Sequence, residues 1–168
     1  FNSVLEVGTF PQTLQSLTFR CRFQQPIVKG LLPESLHTLV FGSDFNLPLS
    51  KGILPTGLQN LSFGIRFNQK LEVGVLPDSI HTLLFGRAFN SVLEVGSLPS
   101  NLKKLTFGRD FLQPLVKNLL PDGLLELTLC PYSVDQTKLV MGVLPDGLVV
   151  LENYKQPLVA GIIPAGLQ

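Results

Sequence analysis

The sequence predicts a mainly-β solenoid, in which short coils of equal length stack into a rod. Proline returns at a constant interval of 22 residues, leucine and phenylalanine occupy fixed places within that interval, and the intervening segments hold too much proline and glycine for a helix interior. The regular prolines are Pro11, Pro33, Pro55, Pro77, Pro99 and Pro121, and Pro145 and Pro164 follow at 24 and 19. We assign these prolines coil position 1.

Three apolar columns run through the coils. Position 7 is leucine from Leu17 to Leu151, position 9 is phenylalanine from Phe19 to Phe107, and position 13 is phenylalanine from Phe1 to Phe111. Positions 7 and 9 flank one variable residue, which is the alternation of a short, half-buried strand. One coil cannot bury its own leucines and phenylalanines, so the coils must stack, about 4.8 Å apart at the strands. The sequence therefore predicts about seven to eight stacked coils with one parallel β-sheet face.

The segments between the strands read as extended chain and tight turns. Position 20 is glycine in most coils, from Gly8 to Gly96, and is Asn118 in a later one. Glycine and, less readily, asparagine adopt the left-handed backbone conformation. We therefore expect a left-handed residue at this turn of every coil.

The whole chain, 1–168, is expected to form one solenoid domain. Coils are regular over 1–120 and degenerate over 121–168, where two residues are inserted around 130–139 and three are lost after Leu151. We expect the insertion to loop outward. Because the sequence starts without methionine, it is expected to be a fragment of a longer chain.

Composition excludes several classes of function. The chain carries 13 basic and 12 acidic side chains, without the clustered basic excess that nucleic-acid binding requires. No run approaches the 18 or so apolar residues that span a bilayer, which excludes a membrane protein. Two cysteines are typical of a reducing compartment, so we expect a cytoplasmic protein.

No residue pattern indicates catalysis, a cofactor or a metal. His37 and His81 both stand at position 5, two coils apart, hence about 10 Å, which is too far to share an ion. Cys21 and Cys130 lie five coils apart, which excludes a disulfide in this fold. We find no nucleophile elbow, metalloprotease motif or phosphate loop, so the chain is not expected to be an enzyme.

The pattern LPxxLxxLxFGxxFNxPLxxGx, intact in 32–52 and nearly so in 76–96, resembles the FNIP repeat. That family is grouped with the leucine-rich repeats and occurs in amoeboid protists and giant viruses. The resemblance implies a curved, right-handed, leucine-rich-repeat-like solenoid whose sheet lines the concave face. Such repeats often follow an F-box, which implies substrate recognition in ubiquitin transfer.

Positions 6 and 8 of the strands are the candidate binding site, because their side chains vary on an otherwise fixed scaffold. They are Ser16, Thr18, Thr38, Val40, Asn60, Ser62, Thr82, Leu84, Lys104 and Thr106. A Thr/Ser ridge of this kind is also found on ice-binding faces, although Val40, Leu84 and Lys104 interrupt it here. Asn60 also begins a glycosylation sequon, but on the strand itself.

Charges at position 12 alternate in sign through Arg22, Asp44 and Arg66. We expect them to form a surface ladder between adjacent coils, with a binding role as the alternative. For the whole chain, the sequence favours a protein-interaction solenoid that binds one or more protein partners. The alternative is a structural scaffold that self-associates through the ends of the solenoid.

Overall fold

The structure, a computed structural model, describes residues 2–129, 139, 142–154, 162 and 164. One parallel sheet of seven short strands runs through them in chain order. The strands are β1 (Ser16–Thr18), β2 (Thr38–Val40), β3 (Asn60–Ser62), β4 (Thr82–Leu84), β5 (Lys104–Phe107), β6 (Glu126–Leu129) and β7 (Val150–Glu152). Seven strands in this order enclose about six turns of a β-solenoid. The fold class is thus confirmed, with slightly fewer turns than the seven to eight predicted.

The sheet keeps the coils in one register. Leu17 pairs with Leu39, Leu39 with Leu61, and the same 22-residue step continues to Leu127. The next step is 24 residues, from Leu127 to Leu151, so the two inserted residues leave the pairing of β6 with β7 intact. The outward loop expected for this insertion falls at 130–141, most of which lies outside the described residues.

Each regular coil bends at three tight turns, over positions 1–4, 10–13 and 18–21. In the second coil, the closing amides of these turns belong to Leu36, Phe45 and Ile53, at 3.0, 3.3 and 3.3 Å from their carbonyl oxygens. Position 20 is left-handed as predicted: Gly52 has φ 77° and Asn118 has φ 64°. The turns take the place of the helices found in longer repeats.

Leucine and phenylalanine fill the inside of the coils. Leu39, Leu61, Phe63 and Phe85 are all at most 2% exposed, which confirms the predicted interior columns. Each position-9 ring stacks on the position-13 ring of its own coil and on the position-9 rings of the coils before and after it. The Phe63 ring centroid lies 3.8 Å from that of Phe67, and 5.5 and 5.6 Å from the rings in neighbouring coils. The core is therefore a continuous two-row array of aromatic rings.

At position 10 the coils touch through their backbones. A Cβ built on Gly42, Gly64, Gly86 or Gly108 would meet the position-10 carbonyl group of the preceding coil closer than 3.0 Å. No larger residue fits that contact without a shift of the backbone. Glycine is required here for space, whereas at position 20 it is required for conformation.

Candidate functional site

The ten candidate residues lie together in two adjacent rows on one face of the sheet. Strand register places Ser16, Thr38, Asn60, Thr82 and Lys104 side by side in the first row, and Thr18, Val40, Ser62, Leu84 and Thr106 in the second. The intervening position-7 leucines of β2 to β5 are buried, so the two rows face away from the core. The predicted placement is correct, and the binding role stays a prediction.

Over β1 to β4 this sheet face is uncharged and only partly accessible. Thr38, Asn60 and Ser62 are half-buried between neighbouring strands, while the Leu84 side chain is 39% exposed. Asn60 Nδ2 donates to Thr38 Oγ1 across the β2–β3 pair at 3.3 Å. The arrangement offers a partner hydroxyl and amide groups beside isolated apolar side chains.

Beyond β4 the same rows become charged. Lys104 Nζ lies 2.7 Å from Glu126 Oε1 on the next strand, and Thr128 Oγ1 donates to Glu152 Oε2 at 3.2 Å. Glu126, Thr128 and Glu152 extend the candidate face past Thr106, where the sequence prediction stopped. Continuing the count of positions 6 and 8 past the two-residue insertion would have found them.

The predicted charge ladder at position 12 is only half correct. Arg66 Nε lies 3.5 Å from Asp44 Oδ1, but Arg22 forms no ion pair with any described residue. The single Asp44 carboxylate reaches toward the following coil and not back to the preceding one. A further pair joins Arg87 Nε to Asp110 Oδ2 at 3.5 Å.

Two polar columns were missed by the sequence prediction. At position 14, Asn46 Oδ1 accepts the amide of Asn68 at 2.9 Å, and Asn68 and Asn90 repeat this bond with the following coil at 2.8 Å. The constant Phe-Asn pair at 22-residue spacing was the available signal. These asparagines link the coils on the outer surface and are too engaged to be free recognition groups.

The second column is at position 2, where Asp78 Oδ1 accepts both the amide and the hydroxyl of Ser100 at 2.9 Å. These bonds, the amide first, lower the pKa of the Asp78 carboxyl below its ordinary value. A third surface contact, Lys70 Nζ to Glu94 Oε1 at 2.9 Å, raises the pKa of Lys70 through its hydrogen bond to that carboxylate.

No group of three or more metal-ligating side chains occurs within the ranges that the structure describes. In the same ranges, no helix has the length and hydrophobicity to cross a bilayer. Cys21 is an exposed free thiol, and Cys130 lies outside the described residues.

The N-terminal end of the stack is open. A cavity of about 220 Å³ is lined there by the side chains of Leu5, Phe10, Phe19 and Phe23, with Arg20 among its polar members. The rings of Phe19 and Phe23 stack on each other at 4.0 Å between centroids, so the cavity exposes the end of the aromatic array.

Short coils that each contribute one parallel strand and a fixed set of interior leucines define a leucine-rich-repeat-like solenoid. The sequence model of the FNIP repeat family matches residues 1–44, 23–65, 45–88, 67–109 and 89–130, and the chain belongs to this family. No curated protein matches the chain in sequence.

Among solved structures, the chain is similar to CroV588, reported as a novel circular LRR protein. The two share 35% sequence identity with a TM-score of 0.93, over 99% of this chain and 25% of that one. The chain thus spans about a quarter of that protein's length.

Proposed function

We propose that this chain is a protein-interaction scaffold that binds its partner through the two exposed rows of the sheet. One observation carries the proposal: side chains that vary from coil to coil stand in register on a backbone whose interior side chains barely vary. Such a scaffold can change its recognition residues without changing its fold. The role is binding and not catalysis.

The chemistry of the two rows suggests how a partner is recognised. Across β2 to β4, the hydroxyl and amide groups can exchange hydrogen bonds with a partner while Val40 and Leu84 contact its apolar groups. The Lys104–Glu126 pair lies at the charged end of the face and is exposed, so it contributes orientation more than affinity. A partner with a mixed polar and apolar surface fits this face best.

The test compares two variants that add equal positive charge on different faces. Asn60→Arg with Thr82→Arg changes the sheet face, and Ser50→Arg with Glu72→Gln changes the exposed turns at position 18. Partners captured by the unaltered chain are quantified by mass spectrometry for each variant, alongside its melting temperature. We expect loss of the partner from the sheet variant alone, with melting temperatures close to that of the parent.

Loss of the partner from the turn variant, with retention by the sheet variant, would reject the sheet face. The finer proposal is that the solenoid is the substrate-recognition arm of an F-box-type protein in the cytoplasm. It requires that the partner become ubiquitylated when the solenoid is joined to a ligase module, and that the sheet variant prevent this.

The second candidate is a structural scaffold that associates through its ends. The open apolar cavity at the N-terminal end and the likeness to a circular protein favour it. Sedimentation velocity over a range of concentrations separates the candidates, because end-to-end association produces larger species as concentration rises. A monomer at all concentrations would reject it.

A further inference from the structure

We propose that Arg20 is a steric stop, which prevents another coil from stacking on the N-terminal end in the register that joins the described coils. This goes beyond the proposed function, since it concerns what the end of the solenoid can accept and not what the sheet face binds. It also limits the self-associating alternative.

The position-10 contact carries the argument. Gly42, Gly64, Gly86 and Gly108 each press against the position-10 carbonyl of the coil before them, and in each case the missing Cβ would point at that carbonyl. None of these four glycines has a positive φ, so the constraint is the contact itself and not an unusual backbone conformation.

Arg20 stands at position 10 of the first complete coil and is the member of this column that carries a side chain. Its own carbonyl is the group against which Gly42 packs, so its backbone follows the same path. By equivalence, the Cβ of Arg20 points to where the position-10 carbonyl of a preceding coil would stand. A coil in the common register would overlap with that Cβ.

The aromatic array also changes at this end. Phe10 occupies position 22, where the following coils have leucine, and its ring meets Phe19 edge-on at 6.3 Å and 71°. The contacts between the position-9 and position-13 rings of the described coils are nearly parallel, such as Phe41 with Phe63 at 5°. Phe10 therefore covers part of the apolar end beside Arg20, in the lining of the same cavity.

The constraint holds whichever polypeptide supplies the coil, an earlier segment of a longer chain or a second copy. Either must shift its backbone away at position 10. The consequence is that the N-terminal end favours a partner other than a regular FNIP coil, while the sheet face is unaffected.

The test extends the full chain by one coil. A copy of residues 67–88 placed before Phe1 creates a native junction, because 1–8 and 89–96 are identical in sequence. Protection of the added amides is measured by hydrogen exchange in this extended chain, in its Arg20→Gly variant and in its Arg22→Gly variant. Arg22→Gly is the matched control, since it replaces a nearby arginine outside the contact column.

We expect the added coil to be protected at least tenfold more strongly with Arg20→Gly than with Arg20 or with Arg22→Gly. Equal protection with and without Arg20 would overturn the proposal. So would an added coil that stays unprotected in all three chains, because Arg20 would then not be what prevents stacking.

Discussion

Phe63 shows what one side chain contributes to this interior. It is 2% exposed and its ring contacts rings in its own coil and in both neighbouring coils. We expect Phe63→Ala to lower the free energy of unfolding by about 3–5 kcal/mol, because the cavity is closed on both sides and cannot collapse. Denaturant unfolding at equilibrium measures this.

Val92→Ala is the control for that experiment, since Val92 is 60% exposed on an outer turn. Its effect should stay within about 0.5 kcal/mol. If Phe63→Ala cost no more than Val92→Ala, the aromatic array would not be a stabilising core.

Asp78 makes stability depend on pH. Its folded-state pKa is lowered by the Ser100 amide and hydroxyl, so its contribution is present above the pKa of the unfolded chain, about 3.9. That contribution is lost as pH falls through the folded-state value. We expect Asp78→Asn to reduce the loss of melting temperature on acidification below about pH 4.

Ser100→Ala removes only the hydroxyl donor and leaves the amide, which is the larger cause of the shift. Its pH profile should therefore lie between those of the parent and Asp78→Asn. A profile of Asp78→Asn identical to the parent's would show that the bond to Ser100 has no effect on stability.

At the scale of the element, the asparagine column joins one coil to the next. We expect Asn68→Ala to cost about 0.5–1.5 kcal/mol in unfolding free energy, because the Asn90 amide and the Ser91 hydroxyl lose their acceptor. Gln24 stands in the same column without the corresponding bond to Asn46 among the described contacts. Gln24→Asn should restore the column and raise the melting temperature.

A gain from Gln24→Asn together with a loss from Asn68→Ala would assign the effect to this bond and not to local helix or strand preference. If Gln24→Asn left the melting temperature unchanged while Asn68→Ala lowered it, the asparagine side chain would act through its own coil alone.

The coil itself could be predicted from the sequence, because the interior admits few residue types. Leu39 and Phe63 sit in columns whose spacing fixes the strand, and Asn118 could be assigned a left-handed backbone from its place in the glycine column. The position-10 glycines were visible as a column, but not the backbone contact that requires them, since that contact depends on how closely neighbouring coils approach.

The surface contacts were less predictable. Asp44 has arginines at the same position on both sides, and the sequence does not say that only Arg66 pairs with it. Exposed ion pairs differ by a few tenths of a kcal/mol, so small differences in side-chain geometry decide which one forms. The Lys104–Glu126 and Lys70–Glu94 pairs are of the same kind.

At the scale of the whole molecule, the constant register predicts which deletions are tolerated. Removing 61–82 joins Asn60 to Leu83 and keeps every later residue at its coil position. We expect a folded solenoid with one strand fewer, a cooperative melt and somewhat lower stability. Circular dichroism during heating measures this.

Removing 61–81 is the matched control, because it differs by one residue within the strand. The extra residue turns the following leucine toward the solvent face and breaks the phase of the buried columns. We expect a markedly lower or absent melting transition. Equal melting behaviour of the two deletions would show that the strand register is not what holds the coils together.

The regular strand pairing also determines how the chain can fold. From β1 to β6, each pairing closes a segment of the same 22 residues, so the entropy lost in closing it is nearly the same in every coil. No pairing in that range depends on bringing together distant parts of the chain. Folding can therefore begin at any of these coils and spread in both directions, so its rate is governed by the closure of one coil and not by the length of the stack.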